Sequence, residues 1–375
     1  MRKDSSGHRS LRPRVLAGFL AAVVAFAALA SCTGGKPGAP ARAAWFQLQA
    51  GAFQPVAGPG SASPVAELPW TIQARVADMA FLGDTLYCAV NGTGLAAIGF
   101  DAAGAPVFAY HADPLIFAHR TITTLVPRQG TLAVHLYFNA LLNDARQREL
   151  PISGISIVSF LPAQSDFSFL IPPFQKKNPD WEAVGFAPES ENQFDFEWKY
   201  TDAAETRFAY TRYHADTQVE ESATRETYLA ALGVPSISGP RVPADLGEFF
   251  EICRKSMPKL ADGASLQFAL RSRENPVRRS YRSQPSSDSA VMIPVFEEEG
   301  TRLALIPGGR VIASAASSAS RYPADSARSI DLPGMPRSFR YTDFVKEGDF
   351  LVVTWEEVSF TNVGKAGLLL YRLRP

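Results

Sequence analysis

Two stretches of this sequence follow one frame, and they decide the fold. Residues 76–87 read VADMAFLGDTLY and residues 341–352 read YTDFVKEGDFLV, so each has Asp, four residues, Gly-Asp, one residue and Leu. In both, an apolar strand enters a turn centred on Gly, and a second apolar strand leaves it. Glycine supplies the positive φ that a tight hairpin turn requires. Each stretch therefore predicts a β-hairpin, and their likeness predicts an internal repeat.

Two further stretches match the frame less closely. Residues 121–134 (TITTLVPRQGTLAV) have Gly130 at the turn, and residues 293–305 (IPVFEEEGTRLAL) have Gly300 there. Only the two best copies carry the aspartate, at Asp78 and Asp343. Because these two positions are equivalent in the repeat, we expect both aspartates to have a structural role, such as a hydrogen bond at a turn or at a strand entry.

The spacing of the turn glycines gives the length of the repeat. Gly83 and Gly130 are 47 residues apart, and Gly300 and Gly348 are 48 apart. Hairpin repeats of this length are typical of β-propeller blades. Residues 44–375 hold about seven such units. The sequence therefore predicts an all-β β-propeller of six to eight blades, with seven as the central number. A large sandwich or two unrelated β domains remain alternatives, because their hairpins also use glycine turns.

The ends of the chain and one internal region complete this prediction. Trp45–Gln49 is expected to pair with the C-terminal strand Leu368–Leu373 and so to close the ring, which also covers an exposed edge. A helical insertion is expected at about residues 223–263, with helices over Arg225–Leu232 and Ala244–Leu260.

The N-terminus has the order of a lipoprotein export signal. A basic segment precedes the apolar run Val15–Ala30, and the run ends in Leu29-Ala30-Ser31-Cys32. This order resembles the lipobox of bacterial lipoproteins, although the resemblance covers only about 35 residues. It implies a signal peptide over residues 1–31, lipid attachment at Cys32, a flexible tether over residues 32–43 and a folded body over residues 44–375. A plain secretory signal or an N-terminal anchor is the alternative.

The charge balance fits a body held at a membrane by lipid. The chain has 37 basic and 37 acidic residues, and removing residues 1–31 leaves 37 − 5 = 32 basic and 37 − 1 = 36 acidic ones. This balance argues against a polybasic nucleic-acid binder. A mildly acidic body gains no attraction to an anionic membrane, so lipid on Cys32 would have to provide the attachment. We expect a location in the cell envelope, with the outer membrane favoured because Thr33 is not acidic.

The search for catalytic motifs is negative. The sequence has no His-Glu-x-x-His, Cys-x-x-Cys, Gly-x-Ser-x-Gly or P-loop motif. Two His-x-Asp pairs begin at His111 and His214, but two ligands do not make a metal site. Cys88 and Cys253 are expected to be buried thiols rather than a disulfide. We therefore predict no catalytic residues, no metal and no cofactor.

An arginine-rich stretch, residues 271–282 (RSRENPVRRSYR), is the strongest charge feature. Arginines beside an aromatic residue bind carboxylates, phosphates or acidic partners. The alternative is a solvated hairpin whose arginines pair with the glutamates at 297–299. The candidate partner-binding residues are Arg271, Arg273, Arg278, Arg279, Tyr281 and Arg282.

These observations favour a non-catalytic function. We expect a binding or scaffold surface for an envelope protein, or for a saccharide. The alternative is a hydrolase or lyase whose site lies at the central channel of the propeller.

The lipid attachment can be tested at one residue. Cys32→Ala should abolish acylation and release the protein from membranes, because the sulfur that carries the lipid is gone. Metabolic labelling with a fatty acid and membrane fractionation would measure this. Unchanged labelling and retention would contradict the lipoprotein prediction.

Overall fold

The folded body is described here from a computed structural model. It covers residues 43–49, 52–59, 75–91, 94–101, 105–117, 120–138, 155–190, 192–232, 244–257, 265–273, 275, 277–282, 290–315, 328–358 and 364–373. The chain has one compact unit from Arg42 to Arg374. The predicted signal peptide, the predicted lipid-attachment residue Cys32 and the predicted tether up to Arg42 lie outside the described residues.

The strands form five sheets, which we call blades 1 to 5. The chain starts with a hairpin of β1 (Ala43–Gln49) and β2 (Ala52–Val56), which belongs to blade 5. Blade 1 follows as an antiparallel meander of four strands, in the order in which they occur in the chain. Its strands are β3 (Val76–Leu82), β4 (Thr85–Val90), β5 (Gly94–Phe100) and β6 (Pro106–His111).

Blades 2 and 3 are also four-stranded antiparallel meanders. A short helix, α1 (Pro114–Phe117), leads into blade 2. The strands of blade 2 are β7 (Arg120–Arg128), β8 (Thr131–Phe138), β9 (Ile155–Leu161) and β10 (Asp166–Leu170). After α2 (Pro173–Lys177), blade 3 consists of β11 (Glu182–Pro188), β12 (Gln193–Thr201), β13 (Thr206–His214) and β14 (Val219–Ser222).

The two predicted helices follow blade 3. The first, α3 (Arg225–Ala231), begins after Thr224, whose hydroxyl accepts a hydrogen bond from Thr227 N at 3.2 Å as an N-cap. The second, α4 (Ala244–Lys255), ends five residues before the predicted Leu260. Pro258 explains the shorter helix, because proline has no N–H to continue the hydrogen-bond ladder. The apolar face of α4 packs on blade 4 through Leu246, Phe249, Phe250 and Cys253.

Blade 4 departs from the meander. Its six strands run in the order β16-β15-β17-β18-β19-β20, and β15 pairs in parallel with β17. The other neighbouring pairs in this blade are antiparallel. The strands are β15 (Ser265–Ser272), β16 (Arg279–Arg282), β17 (Ala290–Glu298), β18 (Thr301–Ile306), β19 (Arg310–Ala315) and β20 (Arg328–Asp331).

Blade 5 joins the two ends of the chain. Its strands β21 (Phe339–Glu347), β22 (Phe350–Glu357) and β23 (Ala366–Arg372) are followed by β1 and then β2. Strand β1 lies antiparallel to β23, with Trp45 opposite Leu369. The predicted closure by the N-terminal strand is confirmed. Strand β2 was not predicted, because Gly51 and Gly58 give its surroundings the composition of a loop.

The blades contact one another in sequence and form a ring. Buried side chains of blades 1 and 2 form one cluster, those of blades 2 and 3 another, and those of blades 4, 5 and 1 a third. Blades 3 and 4 meet where Arg279 Nη2 donates to Glu189 O at 3.4 Å. The fold is therefore all-β and propeller-like, as predicted. In the part of the chain described here, no helix has the length and apolar character needed to cross a bilayer.

The described residues form five sheets rather than about seven. The prediction assumed that one 47-residue unit fills the whole body. Instead, all strands between Ser265 and Asp331 belong to one six-stranded blade, and α3 and α4 occupy the chain before it. Spacing between glycines cannot reveal such a fusion, because it records only where turns occur.

The closure can be tested at Gly367, which lies opposite Trp355 on β22 and Gln47 on β1. A Cβ there would collide with the carbonyl oxygen of Phe46 and lie 2.6 Å from Trp355 Cζ2. Gly367→Ala should therefore lower the free energy of unfolding by about 2 kcal/mol through overpacking. Urea unfolding of the full chain would measure this.

Gly99→Ala is the matched control, because Gly99 also lies in a strand and a Cβ there would meet nothing within 4 Å. Its effect should stay within about 0.5 kcal/mol. Equal losses from both substitutions would contradict the proposed crowding at the closure.

Candidate functional site

Blade 4 has two more strands on the inner side of the ring than its neighbours have. Strands β3, β7, β17 and β21 each enter a two-residue turn that contains one of the repeat glycines. Strands β3, β7 and β21 are the first strands of their meanders and lie at one end of their sheets. On that same side of β17, blade 4 adds β15 and β16. This hairpin therefore projects towards the axis of the ring.

The connection between β15 and β16 contacts each of the other four blades. We call the described residues among 271–279 the axial plug. Arg273 Nη1 donates to Glu347 Oε2 of blade 5 at 2.6 Å, and its Nη2 donates to Asp84 Oδ1, beside blade 1, at 3.3 Å. Val277 is buried in the cluster shared by blades 2 and 3. A segment that reaches all the blades must lie where they converge, so the plug occupies the axis.

The plug brings two arginines to the two repeat aspartates. Arg271 Nη1 donates to Asp78 Oδ1 at 3.0 Å, and its Nη2 donates to Asp343 Oδ2 in a second, shorter contact. Arg278 Nη2 donates to Asp78 Oδ1 at 2.8 Å and also contacts Asp343 Oδ2. We call these four residues the axial quartet. Two positive and two negative charges balance within it.

The quartet is deeply placed on one side and accessible on the other. The side chains of Arg271 and Asp78 are each 3% exposed, and that of Asp343 is 11% exposed. The side chain of Arg278 is 28% exposed. Arg278 is therefore the member of the quartet that is most accessible to a ligand.

The backbone fixes both carboxylates. Asp78 Oδ1 accepts from Met79 N at 2.9 Å, and Asp78 Oδ2 accepts from Leu125 N of blade 2 at 2.9 Å. Asp343 Oδ1 accepts from Phe344 N at 2.8 Å. Irregular pairing just before Asp78 and just before Asp343 marks equivalent bulges, which re-aim a side chain. The predicted structural role of these aspartates at a strand entry is confirmed.

The local charges favour the ionised forms of Asp343 and Arg278. Burial by itself raises the pKa of Asp343, but Arg271 and Arg278 outweigh it and bring the pKa below its ordinary value. Burial likewise lowers the pKa of Arg278, and the two carboxylates outweigh it and raise this pKa. A carboxylate with a lowered pKa is a poor general acid at neutral pH, because it has no proton to give. Asp343 is thus suited to hold a fixed negative charge rather than to donate a proton.

A cleft of about 850 Å³ opens at one end of the axis, beside the quartet. It lies where the inner strands begin, since Ala77 of β3, Thr123 of β7, Pro294 of β17 and Tyr341 of β21 line it. Asp343 and Arg278 also contribute to its lining. We call this the axial cleft. Its volume is in the range of ligand-binding cavities.

Cations outnumber anions in the axial cleft. The charged residues that line it are Arg75, Arg278, Arg337, Arg340, Asp343 and Glu356. Arg340 is paired with Glu356 at 2.6 Å, and Arg278 with Asp343. Arg337 is exposed and Arg75 is half-buried, and neither has an ion pair with another described residue. The cleft therefore carries two positive charges that its described carboxylates do not balance.

His135 lies behind the cleft wall as a core histidine. Its Nδ1 shares a hydrogen bond with Thr123 Oγ1, and its ring stacks on Phe186 with centroids 4.1 Å apart. Burial lowers the pKa of His135 to about 3, so the ring is neutral. Nδ1 is thus satisfied inside the strand. Its Nε2 is buried without a partner among the described residues.

The arginine-rich stretch is thus distributed over several environments. Arg271 is buried in the quartet, Arg273 pairs with Glu347 and Asp84, and Arg279 is exposed beside Glu189. Tyr281 packs against the core of blade 4 and α4. Arg282 lies in β16 opposite Gln267. In the alternative, the arginines pair with residues 297–299. Among the described ion pairs, Glu297 binds Arg302 and Glu298 binds Lys346. The side chain of Arg282 lies outside the described part, so its pairing stays a prediction.

The remaining candidate residues, two cysteines and two histidines, are buried in the core or packed against neighbouring side chains. Cys88 and Cys253 are both free and buried, as predicted. His111 packs on Phe160 with ring centroids 4.7 Å apart, and His214 Nε2 is 3.4 Å from Glu221 Oε1. Among the residues that the structure covers, no three His, Cys, Asp or Glu side chains are grouped as a metal site would need.

Most of the chain matches one known protein family. A family model described as a family of unknown function, DUF8086, matches residues 37–375. No functionally curated protein matches the chain.

Solved structures resemble it weakly. A prolyl endopeptidase structure is 11% identical with a TM-score of 0.31, and the match covers 76% of this chain and 40% of that one. The Dos1 propeller is 9% identical with a TM-score of 0.27, covering 82% and 83% of the two chains. Sqt1 of Saccharomyces cerevisiae is 12% identical with a TM-score of 0.27, covering 78% and 83%. At these scores the likeness supports no statement about activity.

The contribution of the quartet can be measured by removing its most buried cation. Arg271→Met should lower the free energy of unfolding by about 3 kcal/mol, because it leaves two buried carboxylates with one arginine. Combining it with Asp343→Asn should recover part of this loss, since charge balance returns. Urea unfolding of both variants would measure this.

Arg340→Met is the matched control. Arg340 is also paired with a carboxylate, but its side chain is 63% exposed. This control should cost less than about 1 kcal/mol. A loss from Arg271→Met no larger than that of the control would show that the quartet does not hold the ring together.

Proposed function

Because the chain belongs to DUF8086, a family of unknown function, we propose a function from the geometry of its own axis. The protein is a lipid-anchored lipoprotein of the cell envelope. Its propeller-like body is a non-catalytic binding platform that presents the axial cleft to a protein partner. The observation that carries this proposal is the axial quartet, in which both axial carboxylates are neutralised by arginines beside an open cleft.

The quartet favours binding over catalysis. A hydrolase or lyase at the axis would need carboxylates or histidines that are free to exchange protons with a substrate. Asp78 and Asp343 each accept hydrogen bonds from two arginines and from the backbone. Glu356, the other acidic residue of the cleft, is paired with Arg340. Fixed, paired charges of this kind give a rigid surface, which lowers the entropy cost of binding.

The lipid anchor supplies the other part of the proposal. The lipobox-like sequence ends at Cys32, and β1 begins at Ala43. A short tether rich in Gly, Pro and Ala between the two would keep the body close to the membrane while leaving it free to reorient. A platform held this way would meet membrane partners at a raised local concentration.

Site-specific photo-crosslinking in intact cells tests the platform. A photoreactive amino acid replaces Met292, which lines the axial cleft and is 49% exposed. We expect a reproducible protein adduct from this position, and its loss when Cys32→Ala removes the anchor. Mass spectrometry of the adduct would give the partner.

Phe208 is the matched control position, because it is 54% exposed and lies on β13 of blade 3, outside the cleft lining. The same label there should give no such adduct. If both positions give the same adducts, or neither gives any, the platform proposal fails. Turnover of an envelope polysaccharide by the purified chain, lost in Asp343→Asn, would favour the enzyme alternative instead.

A further inference from the structure

We propose that the axial cleft binds an extended acidic peptide segment that carries apolar side chains. The inference rests on the proposed function and names the chemistry of the partner. Four features of the cleft support it: the positive charge, the hydrogen-bond donors that remain available, the apolar wall and the aromatic rings already packed against other residues.

The charge of the cleft selects an anion. Arg75 and Arg337 line it without an ion pair to any described residue, and Arg278 reaches it from the quartet. Guanidinium groups are weakly hydrated and match the geometry of carboxylates. Two or more carboxylates of a ligand would therefore find partners here.

Arg278 is fixed by the quartet and still has hydrogen-bond donors that make no bond to a described residue. Its hydrogen bonds to the described residues all use Nη2, which contacts Asp78 and Asp343. Its Nε is buried and has no partner in the part of the chain that is described. Its Nη1 also makes no hydrogen bond to a described residue and is not among the buried donors, so Nη1 remains available to a ligand acceptor. Because the quartet fixes the guanidinium, little side-chain entropy remains to be lost on binding.

The wall of the cleft is apolar and adaptable. Met292 and Met335 line it together with Val291, Pro294 and Leu305. Met292 is 49% exposed, which is unusual for a large apolar side chain. Thioether side chains are flexible and accommodate varied apolar groups. A purely inorganic anion would leave this wall uncovered, whereas apolar side chains of a peptide would bury it.

The aromatic residues of the cleft argue against a saccharide. Among the described lining residues, the aromatic ones are Phe339 and Tyr341. Phe339 is 9% exposed and packs edge-on against Trp355. Tyr341 stacks on Trp45, and its hydroxyl donates to Pro333 O at 2.8 Å. Phe339 is therefore largely covered, and one face of Tyr341 is already occupied by Trp45. Little aromatic surface remains for a sugar to stack on, so the cleft is better matched to a peptide.

Fluorescence anisotropy with the purified full-length chain tests this inference. The probe is a fluorescein-labelled peptide of sequence Glu-Leu-Glu-Glu-Leu-Glu. Binding should weaken at least tenfold in Arg337→Glu, because the reversal places a like charge beside the ligand carboxylates. Arg337→Lys, which keeps the charge, should stay within about threefold of the parent chain. Met292→Ser should weaken binding at least threefold, because it removes the apolar contact.

Arg207→Glu is the matched control. Arg207 is also an exposed arginine, with a side chain 57% exposed, and it lies on blade 3 outside the cleft lining. Its reversal should change the affinity less than twofold. A peptide with Gln in place of Glu should not bind.

Competition separates the possible ligands. Trigalacturonate and inorganic phosphate, each tested against the labelled peptide, should compete at least tenfold more weakly than the unlabelled peptide. Equal or better competition by either would overturn the inference in favour of an anionic saccharide or a phosphate. Failure of the peptide to bind, or equal losses from Arg337→Glu and Arg207→Glu, would overturn it as well. The crosslink from Met292 would still appear in those cases if the platform proposal is right, so the two failures are distinguishable.

Discussion

The rest of the structure depends on the ion pairs between Arg271, Arg278, Asp78 and Asp343. These side chains come from β3, from β21 and from the axial plug, so they tie blades 1, 4 and 5 together, and Leu125 N adds blade 2. Buried ion pairs seldom add much net stability, because desolvation opposes the Coulomb attraction. Their effect is to make wrong arrangements costly, since any other packing would leave a charge unpaired.

The same interaction shapes what the axis can do. The plug fills the channel and leaves a cleft at one end, and it satisfies the carboxylates that an enzyme would use. The arginines that remain at the cleft give it a positive charge although the body as a whole is mildly acidic. The mildly negative net charge of the body therefore conceals a local field of the opposite sign. A local field of this kind guides association more than the total charge does.

Much of the fold was predictable because hairpin turns leave local signals. The repeat frame identified Asp78 and Asp343 as equivalent, and both were expected to be structural. The pairing of Trp45–Gln49 with the last strand followed from one missing outer strand. Phe194 and Trp198 lie in a strand rich in aromatic residues, and both side chains are fully buried in the core of blade 3. The blade number was not predictable, because the parallel pairing of β15 with β17 joins segments whose relation has no local signature.

The sequence by itself determined most of the strands, their turns and the closure by the N-terminal strand. The lipid attachment at Cys32 stays a prediction from the sequence. These features depend on neighbouring residues or on simple alternation of apolar side chains. Only the tertiary structure decided that the arginine-rich stretch lies at the axis, where Arg271 is buried and Arg278 faces the cleft. Asp78 and Asp343 are each far from these arginines along the chain. Their contact is fixed by the ring that the blades form together, and sequence spacing carries no record of that geometry.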